Sequence, residues 1–236
     1  MILPKEISPN PLITSTVELR FVSDLSESEA LSQIYPAFAQ EFPKLNPGLI
    51  PKELKQSSEE QFKYSADYIM NNDNFSIAFS NRVFTFDNIG NYVLWGNYFP
   101  FIKSQVDKFL SLKIAKKIER VGIRYVSVFS NLINMDELLI NTPSVSLSNN
   151  YSQEMNLFRS LLKVDEVDLL LQIARSAKVQ KREKSFSGLL IDIDASTKSI
   201  DENKIIDIID SLHTEQKKLF FGLLKPDFIN TLNPTY

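Results

Sequence analysis

Apolar and polar positions recur along this chain with two periods, and the two periods predict its elements. From Thr14 to Val22 they alternate. Val17, Leu19 and Phe21 fall on one face and Glu18, Arg20 and Val22 on the other, which is the signature of a half-buried strand. Ser26-x-x-Glu29 has the spacing of a capping box and predicts a helix from about Glu27, with Ala30, Leu31, Ile34 and Phe38 as its apolar stripe and Pro36 ending or kinking it. Residues 43–61 are rich in proline and read as a loop. Short strands follow at Phe62–Met70, Phe75–Phe79 and Arg82–Phe86, joined by the turn-forming runs Asn71–Asn74 and Ser80-Asn81. Tyr98–Ile118 reads as a long helix with the stripe Phe99, Ile102, Val106, Phe109 and Leu110, and with Lys113, Lys116 and Lys117 at its end.

The pattern then repeats. Val121–Phe129 is a strand and Asn131–Ile140 a short helix or loop. Gln153–Lys163, Val167–Ala174 and Phe186–Ile193 are strands. A helix opens at a second capping box, Ser199-x-x-Glu202, and runs to Leu224 before Lys225-Pro226. Leu19-Arg20-Phe21-Val22-Ser23 reappears 104 positions later as Ile123-Arg124-Tyr125-Val126-Ser127. A local match combined with the same order of elements predicts a duplicated unit. The expected fold is α+β: two similar halves, each strand, helix, three strands, helix, around antiparallel sheet with the two long helices on one face. The expected divisions are a leading segment at 1–12, halves at 13–118 and 119–225, and a tail at 226–236.

With these elements in place the chain resembles a sporadically distributed, uncharacterised prokaryotic family of proteins close to this length. The resemblance lies in Asn10-Pro11-Leu12-Ile13 followed by Val17-Glu18-Leu19-Arg20-Phe21 and in Ile118-Glu119-Arg120-Val121-Gly122-Ile123-Arg124-Tyr125-Val126. It continues in Leu189–Asp194 and in the last helix, where Leu212-His213 precedes Lys218-Leu219-Phe220. The chain departs from the pattern at Val126-Ser127, where the family often carries asparagine. The resemblance implies no particular activity. The family's patchy occurrence implies an accessory gene of the defence or toxin–antitoxin kind.

Composition narrows the chemistry. The 236 residues carry 26 lysines and arginines against 29 aspartates and glutamates, a net charge of -3, so no global basic field recruits nucleic acid or an anionic membrane. The chain has no cysteine and one histidine, which excludes disulfides, thiol nucleophiles and zinc sites built on thiolates or several imidazoles. The glycines are dispersed and form no phosphate-cradling loop, and no hydrolase or metalloprotease motif is present. No cofactor or metal is expected. Neither a targeting segment nor a membrane span is legible, which predicts a cytoplasmic protein.

Four constellations remain. Arg20 and Arg124 occupy equivalent positions of the repeat and form either a paired anion site or two structural ion pairs, with Glu18 a candidate partner. Arg175, Lys178, Lys181, Arg182 and Lys184 place five cations in ten residues at an expected hairpin tip, able to grip a phosphate backbone or an acidic protein, or simply solvated. Asp192 and Asp194 project from one face of one strand, as a partial cation site or a solvated face. His213 is a general base, a partner contact or a packed ring bonded to a neighbouring strand. The aromatic run Tyr92, Trp95, Tyr98, Phe99 and Phe101 reads as core at the start of the first long helix, or as a recognition surface.

Three functions fit. The first is a non-catalytic factor that binds another protein. The second is a nucleotide or nucleic-acid binder using the paired arginines and the basic hairpin. The third is an enzyme using His213 with Asp192 or Asp194.

Overall fold

The structure is a computed structural model, and it describes residues 2–130, 134–142, 156–181 and 183–236. In chain order the elements are β1 (Leu12–Val22), α1 (Glu27–Phe38), β2 (Lys44–Pro47), α2 (Lys52–Ser57), α3 (Glu59–Phe62), β3 (Tyr68–Asn71), β4 (Phe75–Phe79), β5 (Val83–Asn88) and α4 (Trp95–Ser111). There follow β6 (Lys117–Ser130), α5 (Met135–Leu138), β7 (Asn156–Val164), β8 (Val167–Lys181), β9 (Lys184–Thr197), α6 (Ile205–Leu223) and α7 (Pro226–Thr231). The fold is α+β, with one antiparallel sheet in the order β2-β3-β4-β5-β1-β6-β9-β8-β7. The chain divides into two compact units. One holds Met1–Thr14, Arg124–Ala195 and Ser211–Tyr236; the other holds Ser15–Ile123 and Ser196–Asp210.

In the unit built on Ser15–Ile123, the alternation of β1 works as the pattern predicts. Val17, Leu19 and Phe21 are buried, while Thr16, Glu18 and Arg20 are half-buried on the other face. Phe84 and Phe86 of β5 join the buried face, and α1 and α4 pack over it. Phe109 of α4 stacks on Phe84 at 4.4 Å between ring centroids and meets Phe21 at 5.2 Å, and Phe38 of α1 meets Phe84 at 5.5 Å. Thr85 and Asp87, at odd positions of the same strand, therefore lie on the face away from the helices. The capping box of α1 forms as expected: Ser26 Oγ accepts from the Glu29 amide, and the Ser26 amide donates to Glu29 Oε2 at 2.8 Å.

Of the two outcomes expected of Pro36, an end to α1 does not occur: the helix runs on to Phe38. Two other local expectations are corrected. The segment read as a strand from Phe62 becomes strand only at Tyr68, since Phe62 closes α3 and residues 65–67 lie against the Lys55 ammonium. That ammonium donates to Ala66 O at 2.7 Å and to Asp67 Oδ1 at 2.6 Å. The first long helix closes at Ser111, not Ile118, since Lys113 turns into the left-handed region at φ 54° and Lys117 already belongs to β6.

In the other unit, Tyr125 and Phe129 of β6, Ile173 of β8 and Leu189, Ile191 and Ile193 of β9 are buried. Phe220 of α6 stacks on Phe129 at 6.3 Å. Gly188 is required by a close approach: a Cβ there would lie 2.1 Å from the Phe129 carbonyl oxygen. The leading segment pairs with the tail, Lys5 N donating to Thr235 O at 2.6 Å and Thr235 N to Glu6 O at 2.9 Å. The second capping box does not form. Asp201 caps the turn before α6 by accepting from the Asn203 amide, and Glu202 instead accepts from the Ile118 amide at 3.0 Å. The cationic run spans the end of β8 and the start of β9. Arg175, Lys178 and Lys181 lie in β8 and Lys184 in β9, while Arg182 lies outside the described residues. Among the described residues no helix is long and apolar enough to cross a membrane.

Candidate functional site

The polar face of the Ser15–Ile123 unit is built by period-two geometry. Glu18 and Arg20 stand two residues apart on β1, and Arg20 Nε donates to Glu18 Oε1 at 2.7 Å. The same oxygen accepts from Arg120 Nη1 of β6. Arg20 also lies over the Tyr64 ring, 4.7 Å from its centroid, and the Tyr64 hydroxyl donates to Glu119 Oε2 at 2.8 Å. One carboxylate thus holds two guanidiniums, and a phenol ring covers one of them. Next to it sits Asp87, opposite Thr16 in the β1–β5 register. Thr16 Oγ1 donates to one of its oxygens and Thr85 Oγ1 to the other at 3.0 Å. Burial pushes the Asp87 carboxyl from 3.8 up to about 6, and the Glu18 charge adds to the rise, while the two hydroxyl donors act against it.

In the other unit Arg124 holds Asp192 in a two-point fork, Nε to Oδ1 at 2.9 Å and Nη2 to Oδ2 at 2.6 Å. Gln172 Nε2 adds a third donor to Asp192 at 3.0 Å. Arg20 and Arg124 therefore each have their own carboxylate, and they belong to different units. The residue that shares a partner with Arg20 is Arg120, which the repeat does not single out. Asp194 lies two positions from Asp192 on the same strand face, and among the described residues no three acidic or histidine side chains converge as metal ligands.

His213 faces the opposite side of β6 from this fork. Its Nδ1 is 3.0 Å from the Tyr125 hydroxyl, and Tyr125 is the neighbour of Arg124 in the strand, so the two side chains leave opposite faces. The ring is buried, and burial together with the Lys217 charge drops its pKa from 6.5 to about 3, which leaves it neutral at neutral pH. The structure does not bring His213 together with Asp192. The aromatic run divides. Tyr98 is fully buried and its hydroxyl donates to Ser15 O at 3.3 Å, and Phe101 meets Phe75 in a tilted pair at 4.5 Å. Trp95 stacks on Phe99 at 5.1 Å and donates from its indole nitrogen to Asp210 at 2.8 Å.

Of the basic run, Lys181 donates to the main-chain carbonyl of Ile13 and so serves a structural end. The side chains of Arg175, Lys178 and Lys184 make no hydrogen bond or ion pair among the described residues. The feature that motif reading passes over is β7. It closes one edge of the sheet, and four of its large apolar side chains face solvent: Leu157 at 55%, Leu161 at 70%, Leu162 at 37% and Val164 at 37% exposure. The opposite edge, β2, has four residues and ends in a proline, which blunts it. The signal for β7 was present in Leu157-x-Arg159-x-Leu161-x-Lys163, a strand face that is neither apolar nor polar. No family model and no curated protein matches this chain.

Proposed function

We propose that this chain is a non-catalytic protein-binding factor of the cytoplasm that engages its partner through the edge strand β7. We also assign it to the prokaryotic family it resembles, and hence to an accessory role of the defence or toxin–antitoxin kind. The observation that carries the binding role is the row of solvent-facing Leu157, Leu161, Leu162 and Val164 on an edge with no neighbouring strand among the described residues. A long exposed apolar edge is an aggregation hazard unless something pairs with it. The sheet order supports reading the halves as one repeated unit, since β3-β4-β5-β1 and β7-β8-β9-β6 follow the same chain order when each is read toward the middle of the sheet.

The nucleic-acid reading keeps Arg175, Lys178 and Lys184 in its favour. It loses the paired strand arginines to Glu18 and Asp192, and no aromatic side chain interleaves with the basic run. The enzyme reading has the least support, because His213 and Asp192 face away from each other across β6 and β9.

The test is an affinity capture from the native host at low and high salt, with the wild type and Leu161→Lys side by side and mass spectrometry of protein and nucleic acid. One stoichiometric protein held through high salt by the wild type and lost by the variant supports the reading. Nucleic acid that washes off with salt, or equal retention by both proteins, overturns it.

A further inference from the structure

We infer that the partner surface read by β7 is an extended strand whose acidic residues are spaced four apart with an apolar side chain between them; this rests on the protein-binding role proposed for the same edge. Side chains of a strand alternate, so Leu157, Arg159, Leu161 and Lys163 share one face of β7, and Asn156, Phe158, Ser160, Leu162 and Val164 share the other. In the β7–β8 ladder Leu157, Arg159, Leu161 and Lys163 stand opposite Ala174, Gln172, Leu170 and Asp168. A strand added on the outer side of β7 meets the first face as apolar, cationic, apolar, cationic, and the second face as uncharged throughout. Its complement presents apolar, acidic, apolar, acidic at every second position.

The charges on β7 are available for this. The side chains of Arg159 and Lys163 are exposed and make no ion pair or hydrogen bond among the described residues, in contrast to those of Arg20, Arg120, Arg124 and Lys181, each of which is held by an oxygen of the protein itself. The strand has no acidic residue of its own. A second copy of the chain is therefore a poor occupant, since pairing β7 with itself gathers four cations on one face without a counterion. The two cations are not equivalent. Lys163 has Asp168 opposite it on β8, whereas Arg159 has the neutral Gln172, so Arg159 is the position that reads charge most strongly.

The experiment uses the full chain and two synthetic peptides that differ only at the charged positions. One has glutamate at the positions facing Arg159 and Lys163, the other lysine. Fluorescence anisotropy measures both affinities, amide hydrogen exchange reads β7, and sedimentation reads self-association. The wild type should bind the glutamate peptide at least about tenfold more tightly than the lysine peptide, a ratio that the two cross-strand charge pairs can supply. That preference should weaken with salt, and the β7 amides should gain protection. Arg159→Glu, on an exposed side chain that the fold does not use, should reverse the preference; Lys163→Glu should reduce it less. No preference between the peptides, a preference unchanged in Arg159→Glu, or self-association abolished by Leu161→Lys overturns the inference. If the peptides show no preference while a host protein is still lost on Leu161→Lys, the inference fails and the protein-binding reading stands.

Discussion

Asp87→Asn should stabilise this protein at neutral pH, and the gain should vanish in acid. The Asp87 carboxyl is raised from 3.8 to about 6 in the folded chain, with burial the largest cause and the neighbouring Glu18 charge adding to it. Its protonated form is the one the fold prefers. The associated stability is full below the unfolded value and is lost as pH rises through the folded one, because between the two values the native state binds the extra proton. At about 1.4 kcal/mol for each pH unit of displacement, the ionised carboxylate costs the native state ~3 kcal/mol at pH 7. Asparagine keeps the shape and one acceptor. Its amide replaces the second acceptor, so the hydroxyl of Thr16 or Thr85 must turn from donating to accepting, a cost of ~1 kcal/mol. The net expectation is a gain of about 1–3 kcal/mol near pH 7 that falls to zero or below near pH 4.

Urea unfolding of both proteins at steps between those pH values measures it. His213 supplies an internal control. Its pKa is depressed from 6.5 to about 3, so its contribution is present above the unfolded value and is lost as pH falls. In the wild type the two groups oppose each other between about pH 4 and 6 and cancel in slope; in Asp87→Asn the histidine slope of ~1.4 kcal/mol per pH unit is left uncovered. A difference between variant and wild type that is flat across the range, or a loss of stability at pH 7, refutes the argument.

Two further predictions concern the other unit. Arg124→Ala should cost more than Asp192→Asn, about 2–4 against about 1 kcal/mol by chemical denaturation, since Asp192 is 6% exposed and Arg124 is 53% exposed. The first substitution strands a buried charge, the second removes that charge; equal losses would show that the fork does not confine the carboxylate. Gly188→Ala should destabilise by about 2 kcal/mol or more, since the added carbon would meet the Phe129 carbonyl, and amide exchange should accelerate first in β6 and β9. Wild-type exchange rates in the variant would contradict the contact.

What was legible in the sequence was local. The alternation of β1, the capping box at Ser26 and the stripe of α4 follow from the two backbone periods, which each segment carries within itself. The misplaced ends are those set by a distant partner. The strand start at Tyr68 depends on Lys55, and the failure of the Ser199 box depends on Glu202 turning to Ile118.

The same division holds for the candidate site. The sequence by itself determined which residues stand on which face of each strand, and so that Arg20 and Glu18 share a face and that Asp192 and Asp194 share another. Only the tertiary structure decided who meets whom: Arg120 with Arg20 on Glu18, Arg124 on Asp192, and His213 turned to Tyr125. The reason is the range of the forces involved. Period is fixed by covalent geometry over a few bonds, whereas an ion pair, a buried carboxylate or an uncovered edge depends on strand order, and strand order depends on pairings between residues scores of positions apart.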